Sequence, residues 1–156
     1  MSKRNLLILV FISLLLFLLV GCGKTLSNEG QHTKPPELKV LFQNKSIDAV
    51  RGTYSWTIDN NDGTKTTTNA DSSSPTELVK NSAPLTVSPK SSLTLKFSDA
   101  QPTSVDVNIW EDKTTIKQEF INNQLVVPDY KDSIIYEVVA TWEKGTASYA
   151  FLVDIK

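Results

Sequence analysis

Residues 133–155, SIIYEVVATWEKGTASYAFLVDI, determine the fold class of this chain. Apolar and polar side chains alternate with a period of two on both sides of Lys144-Gly145, which is the pattern of half-buried β-strands. Gly145 tolerates a positive φ angle, which suits a tight two-residue hairpin. The sequence therefore predicts paired strands over residues 133–143 and 146–155 near the centre of the core, with Trp142 and Phe151 buried.

The same alternation extends upstream. In residues 92–98, SLTLKFS, the apolar side chains of Leu93, Leu95 and Phe97 alternate with polar ones, as in antiparallel sheets. Nine strands are predicted in all, over residues 38–43, 53–59, 85–88, 93–98, 105–110, 114–120, 124–127, 133–143 and 146–155. We expect an all-β fold, an antiparallel β-sandwich of immunoglobulin-like architecture, with a small β-barrel as the alternative.

Residues 59–80 lack this alternation. The segment Asp59-Asn60-Asn61-Asp62-Gly63 has the composition of a calcium loop, but the bidentate glutamate of that motif would fall at Ala70, so we predict a hairpin turn. Residues 64–74, rich in serine and threonine, predict a long exposed loop. Ser74-Pro75-Thr76-Glu77 has the spacing of a capping box with proline at the first helical position, which supports one helical turn at most.

The N-terminus has the layout of an export signal. A short basic segment that contains Lys3 and Arg4 precedes residues 6–20, which are apolar except for Ser13. That run is shorter than the roughly 20 apolar residues that span a membrane. Leu19-Val20-Gly21-Cys22 resembles the bacterial lipobox, and the resemblance implies that Cys22 receives diacylglycerol and that the chain is cut after Gly21. The alternative is an uncleaved membrane anchor.

Three regions follow from this interpretation: a signal peptide (residues 1–21), a lipidated flexible tether (22–37) and a β-sandwich domain (38–156). The tether is polar, ends at Pro35-Pro36 and has an expected reach of roughly 20 Å. Two or more acyl chains hold a protein on a membrane, at about 0.8 kcal/mol per buried methylene. We therefore expect the protein at the extracytoplasmic face of the cell membrane, with the membrane as a partner through Cys22.

Composition excludes several function classes. Removal of the two basic signal residues takes the net charge from −1 to −3, which gives no basis for nucleic-acid binding. The single cysteine excludes an internal disulfide. The single histidine, His32, lies in the predicted tether, where nothing can orient it as a catalytic base or assemble a zinc site around it.

Paired carboxylates are the remaining catalytic candidates. Glu111 with Asp112, and Asp129 with Asp132, could act as in glycosidases, but adjacent acids in turns are commonly just solvated. We therefore expect no enzymatic activity, no catalytic residue, no metal site and no cofactor.

Three residues are candidates for binding a partner. Trp56 and Trp110 could each stack on a sugar or anchor a protein if they lie on a surface, although core packing is the commoner fate of tryptophan. Trp110 is the better surface candidate, because it points away from the core if Ile109 points into it. Arg51 is expected either to pair with an acid in the fold or to contact a ligand.

The strand Arg51-Gly52-Thr53-Tyr54-Ser55-Trp56 resembles that of a group of small uncharacterised lipoproteins and secreted domains of Gram-positive bacteria. The resemblance extends over residues 49–156, through Ala70-Asp71, Pro75 with Leu78-Val79-Lys80, Val87-Ser88-Pro89, and Trp142 with Gly145. It implies no activity. The group has glycine after the proline of the Val87-Ser88-Pro89 turn, where this chain has Lys90, so the turn could differ in geometry.

The function predicted from these observations is a membrane-tethered lipoprotein with a non-catalytic β-sandwich that binds an envelope partner, either a protein or a wall polymer. The first alternative is a ligand sensor or inhibitor that acts with a membrane protease or receptor. The second is a hydrolase of an unrecognised kind. An aromatic groove would favour a polymer, and a flat apolar patch would favour a protein.

Overall fold

The computed structural model describes residues 33–111 and 114–156, which form one compact unit. The predictions for the signal, Cys22, His32 and Asp112 lie outside the described residues. The described chain contains one short helix, α1 (Pro75–Val79), and twelve strands. The strands are β1 (Leu38–Phe42), β2 (Lys45–Asp48), β3 (Val50–Asp59), β4 (Lys65–Ala70), β5 (Leu85–Val87), β6 (Ser92–Phe97), β7 (Ser104–Glu111), β8 (Thr114–Gln118), β9 (Phe120–Ile121), β10 (Gln124–Val126), β11 (Asp132–Trp142) and β12 (Gly145–Ile155).

The strands form two sheets. The smaller sheet has the order β2-β1-β6-β10-β9, and the larger has the order β4-β3-β12-β11-β7-β8. β5 joins the larger sheet as a parallel partner of the end of β12, beyond the part of β12 that pairs with β3. This architecture confirms the predicted antiparallel sandwich, immunoglobulin-like in its two packed sheets. The small-barrel alternative is wrong, because the sheets do not close over residues 33–111 and 114–156.

The core lies between the two sheets, where the alternating apolar side chains of both meet. β11 and β12 pair without interruption from Asp132 opposite Ile155 to Trp142 opposite Gly145. Tyr136, Tyr149 and Phe151 are the largest fully buried side chains. Because direct partners in a sheet face the same side, this pairing stacks Tyr136 on Phe151, with ring centroids 5.1 Å apart. The predicted burial of Trp142 and Phe151 is confirmed, at 6% and 1% exposure.

The β11–β12 turn is displaced by one residue from the predicted position. Glu143 and Lys144 form the connection, and Gly145 is already paired with Trp142 and Trp56. Gly145 has a φ angle of 145°, and a β-carbon there would lie 1.9 Å from the backbone oxygen of Ser55. Glycine is therefore required here both by the backbone conformation and by the close approach of β3.

Residues 64–74 differ from the predicted loop. β4 occupies Lys65–Ala70 and pairs with β3, although its side chains are mostly exposed. A polar strand at the end of a sheet has no apolar alternation to reveal it, because neither face is buried. β2 was missed for the same reason. The predicted hairpin turn at residues 59–63 is confirmed, and the Asp62 carboxylate accepts hydrogen bonds from the amide and hydroxyl of Thr64.

The turn after β5 contains one residue in the backbone conformation that glycine favours. Lys90 has a φ angle of 60°, in the left-handed region, and its ammonium lies 2.6 Å from the Asp129 carboxylate. Lysine at this position therefore adopts a backbone conformation that glycine adopts more readily.

One further element lies outside the core. α1 packs on the outer face of the larger sheet against β11 and β12, and its Val79 is buried there, as is Ala150 of β12. No helix among the described residues is long and apolar enough to cross a membrane.

Candidate binding cleft

The cleft begins at a bulge in β3. Ala147 pairs with Tyr54, yet Tyr149 pairs with Arg51, so β3 carries one extra residue at this point. The bulge turns both Tyr54 and Arg51 toward the inner face of the sheet. It also leaves the Gly52 backbone facing the outer side, where a β-carbon would lie 2.6 Å from the Ser148 hydroxyl. Without a side chain, Gly52 allows other segments to approach this face.

The segment 71–74 takes up that space and forms one wall of the cleft. The Ser72 amide donates a hydrogen bond to the Thr53 hydroxyl at 3.2 Å, and the two hydroxyls are 3.1 Å apart. The Ser148 hydroxyl donates to the backbone oxygen of Thr53 at 3.3 Å. The Ser72 contacts hold the segment beside β3, immediately before α1, and the Ser148 bond joins β12 to β3 next to it.

α1 completes this wall. Pro75 begins the helix with its φ angle already suited to it, and Pro75 and Val79 are buried. The Ser74 side chain makes no capping hydrogen bond, but its backbone oxygen accepts one from the Leu78 amide at 3.0 Å. The single turn is therefore held by packing on the sheet, since a helix of this length is not stable alone.

The resulting concavity has a volume of about 580 Å³. Its floor comes from β11 and β12, and its walls come from β3, β4 and the segment that leads into α1. The polar lining residues are Thr53, Ser55, Asn69, Asp71, Ser72, Ser73, Ser74, Glu137, Thr146 and Ser148. Two of them are acids, and no described lysine, arginine or histidine lines the cleft.

Glu137 is the most enclosed charged group of the cleft. It lies half-buried in the middle of β11, paired with Ala150 on one side and Asn108 on the other. Burial raises the pKa of its carboxyl group above the usual value, because water is partly excluded around it. Within residues 33–111 and 114–156 its carboxylate has neither a hydrogen bond nor an ion pair.

Trp110 lies on the same outer face but outside the lining. Trp110 pairs with Ile135 of β11 and Thr115 of β8. Ile135 lies two residues before Glu137 on β11, so Trp110 is diagonal to Glu137 on the same face. The indole is half-buried there. Residues diagonal across neighbouring strands are about 7–8 Å apart, so Trp110 flanks the site without closing it.

Arg51 lies on the opposite side of the sheet from the cleft. It forms an ion pair with Glu37, and its side chain is only 16% exposed. The neighbouring Tyr149 hydroxyl donates a hydrogen bond to the backbone oxygen of Pro36 at 2.6 Å, and burial raises the pKa of Tyr149 to about 12. Of the two roles expected for Arg51, the structure shows the pairing with an acid. Pro35 and Pro36 are buried there against the sandwich.

Trp56 is a core residue, with 3% of its surface exposed. Its ring meets Trp142 edge to face, with centroids 5.5 Å apart. The three sequence candidates therefore do not meet: Arg51 holds the end of the predicted tether, Trp56 fills the core, and Trp110 lies on the outer face.

Glu137 was not predicted from the sequence, although a signal was present. The side chains of β11 that point away from the core include Ile135 and Val139, which are apolar, with Glu137 between them. An apolar outer face on a central strand indicates that something covers it. A charge within such a face is a candidate for a ligand site.

Comparison of the chain with protein-family models, with curated proteins and with solved structures finds no match. The chemistry of the cleft is therefore the basis for inferring its function.

Proposed function

We propose that this protein is a non-catalytic, lipid-anchored binding protein whose β-sandwich holds an envelope partner outside the cytoplasmic membrane. The partner that best suits the cleft is a wall polymer rich in hydroxyl groups. One observation carries the proposal: four strands and the segment 71–74 bring hydroxyl, amide and carboxylate groups together around a volume of about 580 Å³. Ligand pockets usually have volumes of about 300–1,000 Å³ with a few convergent polar groups.

The distribution of polar groups supports a hydroxyl-rich ligand. Part of the lining is used internally, since the hydroxyls of Thr53, Ser72 and Ser148 bond to one another or to backbone. The side chains of Ser55, Asn69 and Thr146 make no hydrogen bond within the described residues and can bond to a ligand. Serine, threonine and asparagine can both donate and accept, as the hydroxyls of a saccharide do.

The anchor in this proposal is the lipid on Cys22, which the likeness of residues 19–22 to a lipobox supports. Its test is labelled-palmitate incorporation and intact mass of the wild type and of Cys22→Ser. The wild type should carry label and start at Cys22, and the variant should carry none. A wild-type protein that still contains residues 1–21 would contradict the lipid anchor.

The polymer site is tested by blocking the cleft. Thr146→Trp places an indole at an exposed lining position, and Thr94→Trp is a matched control on an exposed position of the smaller sheet. Binding of the full chain, in neutral detergent, to sedimented cell-wall material should fall at least tenfold for Thr146→Trp and should not change for Thr94→Trp. Equal binding by both variants would exclude the cleft as the site.

The open edge of β4 favours a second candidate function. Within residues 33–111 and 114–156 this strand ends the larger sheet and pairs only with β3, so in this part of the chain its other edge is open to an extended peptide. A sensor or inhibitor that acts with a membrane protease or receptor could use this edge. Crosslinking in intact cells from a photoreactive residue at position 67 would capture a protein partner in that case, whereas polymer binding at the cleft predicts no specific protein adduct there.

A further inference from the structure

The charges of the larger sheet's outer face are unequally compensated. Three lysines on or beside elements near Glu137 are paired with acids: Lys117 with Asp106 at 2.5 Å, Lys80 with Glu77 at 2.7 Å and Lys156 with Asp154 at 2.9 Å. Asp71 and Glu137, the two acids of the cleft, have no basic partner among the described residues. The cleft therefore carries negative charge without a counter-charge.

This imbalance decides which polymers fit. A phosphate- or carboxylate-rich chain would be repelled by Asp71 and Glu137, because like charges in a partly dry cleft interact strongly. A neutral saccharide could donate a hydroxyl hydrogen bond to the half-buried Glu137 carboxylate but would leave its negative charge without a counter-charge. Enclosing a charged group without a counter-charge opposes binding. A ligand that supplies both hydroxyls and an ammonium group satisfies the whole lining.

We propose that the cleft binds a saccharide that carries free, protonated amino groups, and that Glu137 accepts the ammonium and selects against the N-acetylated form. This inference rests on the proposed function, because it concerns the same cleft. The ammonium would lie on the floor at β11, while Ser55, Asn69 and Thr146 bond the sugar hydroxyls around it. An N-acetyl group offers one neutral amide donor and adds bulk at that position, so it matches Glu137 poorly.

The selectivity has a defined dependence on pH. Glu137 must be ionised and the amine of the ligand must be protonated. Preference for the free-amine saccharide over the N-acetylated one is therefore expected only at pH values between the pKa of Glu137 and the pKa of the amine. Because burial raises the pKa of Glu137, discrimination should be lost on acidification at a higher pH than an exposed glutamate would require. The elements packed around Glu137 carry Glu77 on α1, Asp106 and Glu111 on β7, Asp132 on β11 and Asp154 on β12. Asp71, Lys80 and Lys156 lie beside these elements, and Lys117 of β8 pairs with Asp106.

The test compares glucosamine and N-acetylglucosamine hexamers as probes, with calorimetric titration of the full chain in neutral detergent. The glucosamine hexamer should bind the wild type at least tenfold more tightly. Glu137→Gln, which keeps the size of the side chain, should abolish this preference, and the control Asp48→Asn on the smaller sheet should keep it. Melting curves of both variants establish that they are folded.

The inference would be overturned by equal affinity of the wild type for both hexamers, or by an unchanged preference in folded Glu137→Gln. Tighter binding of a lysine-containing peptide than of the glucosamine hexamer would also overturn it. If Thr146→Trp abolishes wall binding while Glu137→Gln leaves the preference unchanged, the ammonium site fails but the proposed cleft function stands. If Thr146→Trp has no effect on wall or hexamer binding, both fail.

Discussion

The β11–β12 and β3–β4 hairpins belong to the same sheet but are stabilised in different ways. Every second side chain of β11 from Ile134 to Trp142 is buried in the core. In β4, five of the six residues are exposed and the sixth is half-buried. β4 is held by its backbone pairing with β3 and by polar side chains, such as the hydroxyls of Thr57 and Thr67, which are 2.8 Å apart.

The difference shows how the cleft is built. The β11–β12 hairpin supplies a rigid floor, because its inner face is anchored in the core. The β3–β4 hairpin and the segment 71–74 form walls that rest on hydrogen bonds and on the close approach at Gly52. Stability should therefore depend steeply on the first hairpin and only weakly on the second, whereas the proposed binding at the cleft is expected to depend on both.

The largest expected change in stability comes from comparing one substitution in each hairpin, at Trp142 of β11 and at Thr68 of β4. Trp142 meets Trp56 and Phe97 edge to face, and its indole N–H donates to the backbone oxygen of Ala100 at 2.8 Å. Trp142→Ala should lower the free energy of unfolding by about 3–5 kcal/mol. Thr68→Ala in β4 should change it by less than about 0.5 kcal/mol. Urea denaturation measures both, and similar losses would remove the contrast.

The second prediction compares the glycines of the two hairpins. Gly145→Ala would bring a β-carbon against the Ser55 backbone, so β3 would have to move, at a cost of at least about 1–3 kcal/mol. Gly63 has a φ angle of 82°, and no atom lies within 4 Å of the place that a β-carbon would occupy, so Gly63→Ala should cost only about 1 kcal/mol. Thermal unfolding of both variants gives the order, and the reverse order would show that the β3–β4 turn is the more constrained.

The smallest change in the free energy of unfolding is expected at the turn after β5. Lys90 is not part of the core, so its replacement tests backbone conformation without changing core packing. Lys90→Gly relieves a left-handed backbone, worth about 1 kcal/mol, but the greater freedom of glycine in the unfolded chain offsets about 0.4–1 kcal/mol. The net change should lie within about 0.5 kcal/mol. A loss of more than about 1 kcal/mol by urea denaturation would mean that the contact with Asp129 contributes to stability.

Much of the fold could be predicted from side-chain periodicity. The strands of the core, the single helical turn at Pro75 and the turn at residues 59–63 follow from local patterns that burial or backbone preference imposes. β2 and β4 could not be predicted in this way, because an exposed polar strand at a sheet edge has no apolar face. The candidate site was missed for a related reason. Glu137 lies on the outer side of β11, and α1, which packs on that side, is distant in sequence.

The sequence by itself determined the all-β class, the burial of Trp142 and Phe151 and the scarcity of groups for histidine or zinc chemistry. These properties depend on composition and on patterns within a few residues. Only the tertiary structure decided that Arg51 pairs with Glu37, that Trp56 is inaccessible and that Glu137 lies in a cleft without a basic partner among the described residues. Each of these depends on register, and the one-residue bulge at Gly52 sets which side chains of β3 face the core.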